Sequence, residues 1–318
     1  MKNKRRAFIG IDGGGSKTLA VVIDEEGHEL GRGFTASSNQ ACVGIARAAA
    51  RICDAAAEAA QQAGVAPPFD AACLGLAGVD RPDDRDAVLR HLGGLAHEIR
   101  IGNDGELILG ALDGGIGMAV IVGTGSIALG RDASGRSVRA GGWGHVMGDE
   151  GSGYDLGQRV LRHAVRAADH RGPQTRLLDL VMQHFGLEKA SDLTARVYPA
   201  EDKAAIARLA HLVFQAAEEG DHIAHEMLER GSSELALMVT TAAGALEFED
   251  GKIPLALSGS IALHVRPYRD LMLEKLRARV TIGEVKLVDC PALGAAQAAR
   301  RAWLEKHSPF RLGSVPAA

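Results

Sequence analysis

Residues 7–24, AFIGIDGGGSKTLAVVID, decide the fold of this chain. Two apolar runs rich in β-branched residues flank a glycine-rich centre, a pattern typical of two strands joined by a tight turn. A second turn at Asp24–Gly27 and another short run extend the pair to three strands. Residues 118–139 repeat this arrangement, with turns at Gly123–Ser126 and Asp132–Gly135. The sequence therefore predicts two copies of one architectural unit.

Helices and further strands are predicted after each set of three strands. The first set is followed by a helix, a strand, a helix and a strand, at 40–63, 71–76, 83–91 and 98–102. The second is followed by helices at 154–168, 175–195, 202–218 and 221–248, then by a strand, a helix, a strand and a helix at 254–257, 268–277, 284–288 and 292–306. This order is typical of α/β proteins. It predicts two lobes, residues 1–115 and 116–291, with a helical insertion in the second.

Composition and charge exclude two classes of partner. The chain has 318 residues and a net charge of −4, without the clustered basic face that nucleic-acid binding requires. The basic run over residues 2–6 precedes a predicted strand instead of a long apolar segment. We therefore expect no nucleic acid, no signal peptide and no membrane anchor.

The cysteines argue against two kinds of metal site. Cys42, Cys53, Cys73 and Cys290 are widely spaced and contain no C-x-x-C pair, which disfavours zinc and iron–sulfur centres. We expect all four to be small buried side chains. Because their thiols would stay reduced, the protein is predicted to be cytoplasmic.

The glycine-rich turn in DGGGSKT, residues 12–18, is not a P-loop. Ile11 and Ser16 stand where that motif requires glycine, and a strand follows where a P-loop opens a helix. A hairpin turn of small residues still presents backbone N–H groups to an anion. Asp12 at its entrance suits a cation bound to phosphate. A plain tight hairpin is the alternative.

The turn GTGSIA, residues 123–128, fits the dinucleotide pattern G-x-G-x-x-A. A strand follows it where a Rossmann site needs a helix, so we reject that interpretation. Thr124 and Ser126 add hydroxyl donors, and two such turns on opposite lobes would hold a polyphosphate across a cleft. Ser258–Ser260 leaves another predicted strand and is either a nucleotide contact or a simple turn.

The segment GGWGHVMGDEGSG, residues 141–153, has six glycines in thirteen residues, which is incompatible with the interior of a helix or strand. It also carries Trp143, His145, Asp149 and Glu150. Flexible linkers seldom contain tryptophan and paired acids, so a ligand-binding loop is favoured over a linker.

Asp104 follows a predicted strand at its carboxyl end, the edge where ligands of α/β sheets bind. Two interpretations are open. Asp104 is either a general base that accepts a hydroxyl proton, or part of a turn that caps a short helix over 106–112.

Taken in order, these motifs resemble the N-acetylglucosamine kinase family. That family belongs with the BadF/BadG/BcrA/BcrD ATPase group in the actin/Hsp70/sugar-kinase superfamily. The resemblance extends to PALGAA at residues 291–296. It implies an α/β fold of two ribonuclease-H-like lobes that close on ATP and Mg²⁺, a C-terminal helix of about 292–318 packed on the first lobe, and a homodimer.

The resemblance also implies a role for each motif residue. Asp104 would be the catalytic base, and Asp12 would lie close to Mg²⁺. The residues expected to bind the sugar are Asn39, Gly142, Trp143, Gly144, Asp149 and Gly153. The residues expected to bind ATP are Gly13, Gly14, Gly15, Ser16, Thr18, Gly123, Thr124, Gly125, Ser126, Gly259 and Ser260.

The activity implied is ATP-dependent phosphorylation of the 6-hydroxyl of an amino sugar, with N-acetylglucosamine as the first expectation. Glucosamine and N-acetylmuramate are alternative acceptors. An ATPase acting on a partner protein and a sugar-responsive protein without turnover are alternative functions. Some family members carry Ala at the position of Gly153, which leaves the preference for an N-acetyl group open. Relatives that activate dehydratases use an iron–sulfur cluster, and this chain lacks the clustered cysteines for one.

Overall fold

A computed structural model of the protein describes residues 6–15, 17–79, 81–198 and 202–307. The chain forms two compact units, Met1–Gly110 with Cys290–Ala318, and Ala111–Asp289. The first unit thus ends at Gly110, where the sequence placed the boundary at residue 115. The second unit contains the helical insertion.

The strands are β1 Phe8–Gly13, β2 Lys17–Ile23, β3 Glu29–Ala36, β4 Phe69–Leu76, β5 Ala96–Asn103, β6 Gly117–Val122, β7 Ser126–Arg131, β8 Ser137–Gly141, β9 Ile253–Ser258 and β10 Ile282–Leu287. The helices are α1 Gln40–Val43, α2 Ile45–Ala63, α3 Pro82–Leu89, α4 Asp104–Leu109, α5 Gly153–Ala168, α6 Arg176–Phe185, α7 Leu193–Val197, α8 Lys203–Arg208, α9 Ala210–Glu218, α10 His222–Ala243, α11 Ser260–His264, α12 Arg266–Arg277 and α13 Pro291–His307.

Both units are built on the same sheet. The strand order is β3-β2-β1-β4-β5 in the first unit and β8-β7-β6-β9-β10 in the second. In each sheet three consecutive strands pair antiparallel. A fourth strand pairs parallel with the first of them, and a fifth pairs parallel with the fourth. The α/β fold class and the duplication predicted from the sequence are therefore confirmed.

Helices cover both faces of the first sheet. On one face α2 buries a stripe of alanines with Ile52, and Gly33 of β3 lets this helix approach so closely that a Cβ there would lie 2.0 Å from the Ala55 carbonyl oxygen. On the other face α13 packs against Phe8 of β1 and Ala71 of β4. Residues 308–318 of the predicted C-terminal helix lie outside the described residues.

Glycines divide helices that the sequence predicted as continuous. Gly44 (φ 80°, ψ 153°) separates α1 from α2, and Gly186 (φ 64°) ends α6 before the short α7. A residue in these conformations cannot continue an α-helix, and glycine adopts them without strain. The predicted helix over 202–218 is also two helices, α8 and α9, but these meet at Leu209 and not at a glycine.

The cysteine prediction is wrong in part. Cys42 and Cys53 are exposed, whereas Cys73 and Cys290 are half-buried, and none of these four residues forms a disulfide bond. Cys53 lies off the buried stripe of α2, so the apolar neighbours that suggested burial belong to the opposite face. Among the described residues, no helix is both long and apolar enough to cross a bilayer.

Candidate functional site

The carboxyl ends of three parallel strands bring Asp12 and Asp104 to one edge of the first sheet. Asp12 of β1 pairs with Gly75 of β4, which pairs with Gly102 of β5, and Asp104 follows directly after β5. Gly75 makes this packing possible, because a Cβ there would lie 2.4 Å from the Leu107 side chain and 3.1 Å from Cα of Asp104. This is the edge where α/β proteins bind ligands.

Asn103, and not Asp104, caps the helix that starts here. The Asn103 side chain accepts a hydrogen bond from the Gly105 N–H (2.9 Å), and Glu106 completes a capping box. Arg85 in turn donates to Glu106 (3.1 Å). Asp104 is the half-buried first residue of α4, and its Oδ1 lies 3.0 Å from the Gly105 nitrogen. Helix capping, one of the two roles that the sequence allowed for Asp104, is therefore performed by Asn103.

Asp12 stands in an environment that disfavours its ionised form. Burial is the largest cause, and the negative charge of Asp104 adds to it, while Lys17 acts in the opposite direction. Together these effects raise the pKa of the Asp12 carboxyl group to about 7. The negative charge of Asp104 therefore lies close enough to Asp12 to disfavour ionisation of its carboxyl group.

The raised pKa predicts a pH dependence of stability. Between about pH 4 and pH 7 the folded chain keeps a proton on Asp12 that the unfolded chain has released, so the free energy of unfolding should fall as pH rises. Asp12→Asn carries no such proton, and its unfolding free energy should fall less between pH 5 and pH 8. Urea unfolding in metal-free buffer measures this. Asp83→Asn, on the exposed start of α3, is the control, and equal slopes for Asp12→Asn and wild type would contradict the prediction.

Asn39 lies in a loop that is tied to the first glycine-rich turn. Its Oδ1 accepts from the Ala41 N–H (3.0 Å) and caps α1. The hydroxyl of Ser37 donates to the Gly14 carbonyl (3.1 Å), which joins loop and turn. Gln40 donates to the Gly78 carbonyl (2.8 Å), and its own buried Oε1 has no hydrogen-bond partner. The sequence identified Asn39 and missed these two neighbours, because their contacts are not local.

The hydroxyl of Thr18 is hydrogen-bonded within the protein. Its side chain is fully buried, its hydroxyl donates to the Ala36 carbonyl (2.8 Å), and it lies 2.9 Å from the Ser38 hydroxyl. A hydroxyl with no exposed surface and a committed proton does not reach a bound phosphate. Ser16, the other polar residue of this turn with a predicted role, lies outside the described residues.

The second glycine-rich turn is held by the start of α5. The N–H groups of Gly153 and Tyr154 donate to the carbonyls of Gly123 (2.8 Å) and Thr124 (3.1 Å). Gly123 also lies close to Gly259 and Ser260, since a Cβ on Gly123 would be 3.6 Å from atoms of both. The structure therefore brings together the predicted nucleotide residues at the ends of β6 and β9.

Two residues near this turn, Ser126 and Gly153, make contacts within the protein. Ser126 is buried and its hydroxyl donates to the Glu150 carbonyl (2.8 Å), so that hydroxyl is not available to phosphate. Gly153 is also buried, and a Cβ there would lie 3.1 to 3.3 Å from Gly123, Ala207 and Ile261. Gly153 thus packs closely against protein groups, and its predicted place at the border of the sugar site stays a prediction.

Asp149 lies against the second turn and is almost completely buried (3% exposed). Its Oδ1 accepts from the Ser126 N–H (3.2 Å), and its Oδ2 forms a 2.7 Å ion pair with Nζ of Lys203. Both carboxylate oxygens are therefore bonded within the protein, where the sequence predicted contacts with sugar hydroxyls. Lys203 was missed because it is distant in sequence and lies in no recognisable motif.

The rest of the 141–153 segment presents Trp143 at the surface. Gly142 (φ 69°) and Gly144 (φ 81°) flank Trp143 in left-handed conformations that favour glycine. Trp143 is 60% exposed, and the guanidinium of Arg139 lies 4.8 Å from its ring centroid. An exposed aromatic plate on a loop fixed by such glycines is suited to contact with a ligand.

A groove of about 450 Å³ between α5 and α10 lies elsewhere in the second unit. Arginines at 159, 162, 166 and 230 line it, together with His163. None of the residues predicted from the sequence for sugar, nucleotide or metal belongs to its wall, so this groove is not part of the candidate site.

The part of the chain that contains the candidate site is similar to known proteins. A family model described as the BadF/BadG/BcrA/BcrD ATPase family matches residues 9–299. The match includes both sheets and every candidate site residue described above. The chain belongs to this family.

Two relatives are similar to this chain over most of their length. The N-acetyl-D-glucosamine kinase of Dictyostelium discoideum is 32% identical over 309 residues, which cover 92% of this chain and 97% of the relative. The N-acetylmuramic acid/N-acetylglucosamine kinase of Clostridium acetobutylicum is 35% identical over 262 residues, covering 80% and 84%.

Solved structures confirm the fold of this family member. A Chromobacterium violaceum protein with the provisional name N-acetylglucosamine kinase is 28% identical, with a TM-score of 0.76 over 92% of this chain and 99% of that chain. The ROK hexokinase of Thermus thermophilus, at 18% identity, has a TM-score of 0.52 and covers 94% and 99%. At that identity the second comparison concerns the fold alone.

Proposed function

We propose that this family member is an ATP-dependent kinase that transfers phosphate to the 6-hydroxyl of N-acetylglucosamine. The observation that carries the proposal is the position of Asp104, beside Asp12 at the carboxyl edge of the first sheet. The similarity to two amino sugar kinases over at least 80% of the chain supports it.

Asp104 is the proposed general base. The sugar O6 attacks the γ-phosphorus of ATP, the new O6–P bond forms as the bond to the β-phosphate oxygen breaks, and ADP leaves with that electron pair. The Asp104 carboxylate accepts the proton from O6. Such a base need not be strong, because phosphoryl transfer depends mainly on positioning and charge neutralisation. Its place at the start of α4 is fixed by the Asn103 cap.

The donor set at Asp12 fits Mg²⁺. Carboxylate oxygens are its preferred protein ligands. Burial and the negative charge of Asp104 outweigh the effect of Lys17 on the pKa of Asp12, and a bound cation would offset both. Asp12 would hold the ion, directly or through water, and the bound ion would supply neutralisation of phosphate charge. In the same unit the backbone of Gly13, Gly14 and Gly15 is proposed to contact phosphate.

The second unit supplies its own nucleotide contacts in this proposal. Gly123, Thr124 and Gly125 form the turn, and Gly259 with Ser260 lies beside it. Position 259 has no room for a side chain, because a Cβ there would lie 2.5 Å from the Val122 carbonyl oxygen. Backbone close to this turn is thus available to a nucleotide without intervening side chains.

Of the residues predicted to bind the sugar, Asn39 in the first unit and Trp143 in the second have side chains that are not already paired as Asp149 is, and Gly142 and Gly144 flank Trp143. The sugar contacts of Asp149 and Gly153 stay predictions. Asn39 is half-buried beside the first turn, and Trp143 is exposed on its loop. Amide groups hydrogen-bond hydroxyls, and aromatic rings pack on the apolar face of a sugar. Each of these two kinds of contact is suited to a neutral amino sugar derivative.

A coupled ADP-release assay tests the proposal. The sugars are N-acetylglucosamine, glucosamine, N-acetylmannosamine, N-acetylmuramate and glucose, each at several concentrations. We expect the highest kcat/KM with N-acetylglucosamine. ATP hydrolysis that is independent of every sugar would instead favour an ATPase that acts on a partner protein, and a higher kcat/KM with another amino sugar would correct the acceptor.

Trp143→Ala should raise KM for the sugar by about tenfold, the equivalent of about 1.4 kcal/mol of binding, while KM for ATP changes little. The ring is exposed, so stability should change by no more than about 0.5 kcal/mol. Steady-state kinetics with each substrate varied in turn measures the difference. Val146→Ala, on the same loop and 84% exposed, is the control. Equal changes in both KM values would argue against a sugar contact.

A further inference from the structure

The ion pair between Asp149 and Lys203 lies directly under the turn that the second unit is proposed to offer to nucleotide. The residue after Gly148 in this loop, Asp149, has φ 64°, a left-handed conformation that few residues other than glycine adopt. With this backbone conformation, the carboxylate of Asp149 lies against the Gly123–Ser126 turn. A Cβ on Gly125 would lie only 2.8 Å from Oδ1 of Asp149.

A carboxylate in this position requires a cation. An unpaired buried charge is strongly unfavourable, and a negative charge so close to the turn would repel a phosphate there. Among the described residues, Lys203 is the basic group within ion-pair distance of Asp149, with Nζ 2.7 Å from Oδ2. It therefore cancels a charge that would otherwise oppose anion binding.

Lys203 also retains donors for a ligand. An ammonium group has three N–H donors, and Asp149 uses one of them. The Lys203 side chain is 34% exposed, and no other hydrogen bond from Nζ occurs within the part of the chain that the structure describes.

The helix that carries Lys203 is fixed against the same turn. Gly157 of α5 allows α8 to pack so closely that a Cβ would lie 2.0 Å from the Ile206 carbonyl oxygen. One turn earlier on α5, Gly153 lies against Ala207 and donates its N–H to Gly123. Movement of α8 would therefore displace both Lys203 and the support of the turn.

We propose that Lys203 is a positioning residue for nucleotide binding. It holds the Asp149 carboxylate against the Ser126 N–H, and by neutralising that carboxylate it makes the Gly123–Ser126 turn able to accept a phosphate group of a nucleoside triphosphate. This inference rests on the proposed nucleotide role of the turn and does not depend on which sugar is phosphorylated.

Direct titration with Mg²⁺ and a non-hydrolysable ATP analogue, without sugar, tests the proposal. Lys203→Met should raise the Kd for the analogue by about tenfold or more, because a charge-assisted contact and the neutralisation of Asp149 are both lost. Lys203→Arg keeps the charge and should restore Kd to within about threefold. Lys189→Met, an exposed lysine of the same unit, is the matched control and should leave Kd unchanged.

Sugar affinity and melting temperature separate this role from a merely structural one. A lower melting temperature for Lys203→Met with unchanged nucleotide Kd would overturn the proposal, as would a change in sugar affinity alone. If Lys203→Met does not fold, the double variant Lys203→Met with Asp149→Asn removes both charges and should fold. No carboxylate charge then opposes the phosphate and only the donors of Lys203 are missing, so Kd for the analogue should rise by less than about tenfold. Failure of the double variant to fold would assign the pair to folding and also overturn the proposal.

The wild-type protein distinguishes the two proposals. Nucleotide binding that depends on Lys203, without phosphorylation of any amino sugar, would retain the role of Lys203 and refute the proposed kinase activity. Absence of nucleotide binding to the wild-type protein would refute both.

Discussion

Asp104→Asn should lower kcat by about 10²- to 10⁴-fold, the range that removal of a general base produces. The affinity for sugar should stay within about threefold of wild type, because the amide keeps the size of the side chain and its ability to hydrogen-bond a hydroxyl. An amide does not accept the O6 proton, so the loss is confined to the chemical step. Rapid-quench measurement of one turnover, together with equilibrium titration of sugar, separates the two quantities.

The electrostatic coupling at this edge supplies an independent readout. Asp104 helps to raise the pKa of Asp12, so its neutralisation should move that pKa downward even where kcat is too low to measure. Asp83→Asn is the matched control, because Asp83 also lies in the first turn of a helix but on the exposed α3. Unchanged turnover in Asp104→Asn would refute the assignment of the base, whatever the behaviour of Asp12.

Gly10→Ala should destabilise the first unit by about 3 kcal/mol or more, through overpacking between a strand and a helix. Gly10 is in the middle of β1, where α13 crosses the sheet. A Cβ there would lie 2.0 Å from the Ala292 carbonyl oxygen and 2.2 Å from the Ala296 nitrogen. These are backbone atoms, so the helix itself must shift, and the contact between Phe8 and Trp303 (ring centroids 5.7 Å apart) shifts with it.

The same substitution should also reduce activity, because β1 carries Asp12 two residues farther along. Thermal and urea unfolding measure the stability, and the coupled assay measures the turnover. Gly294→Ala is the control within α13. Apart from its chain neighbours and the backbone of its own helix, no atom of the described residues lies within 4 Å of a Cβ at this position. Alanine in a helix should be more stable than glycine by about 0.5–1 kcal/mol. A melting temperature for Gly10→Ala equal to that of wild type would contradict the observed approach of α13 to the sheet.

Local patterns were sufficient for most strands, and the failures have a common cause. β1 and β2 are flanked by turn residues and buried on both faces, so their apolar runs coincide with their bounds to within a residue or two. The prediction of a single helix over 40–63 was wrong, because Gly44 interrupts it. The left-handed conformation of Gly44 depends on the loop around Asn39. Cys53 was wrongly expected to be buried because the alanines of α2 conceal which face meets the sheet.

In the candidate site, too, the sequence identified some residues and did not indicate the contacts of others. Asp104 and Asp12 were identifiable because each follows or ends a strand, and parallel strands bring their carboxyl ends to one edge. Thr18 and Ser126 belong to the right turns, yet their hydroxyls are used by Ala36 and Glu150. Spacing in the sequence indicates that a hydroxyl is near a turn and cannot indicate the direction in which it points.

The sequence by itself determined the duplicated α/β architecture, the two glycine-rich turns and the position of Asp104, because each depends on periodicity or on residues adjacent in the chain. Only the tertiary structure decided that Asp149 is buried against the second turn and paired with Lys203. Such a pairing depends on how α8 packs on α5, through glycines that leave no signature except in three dimensions. Long-range packing therefore determines which charges meet, and with them which residues hold the turn in place.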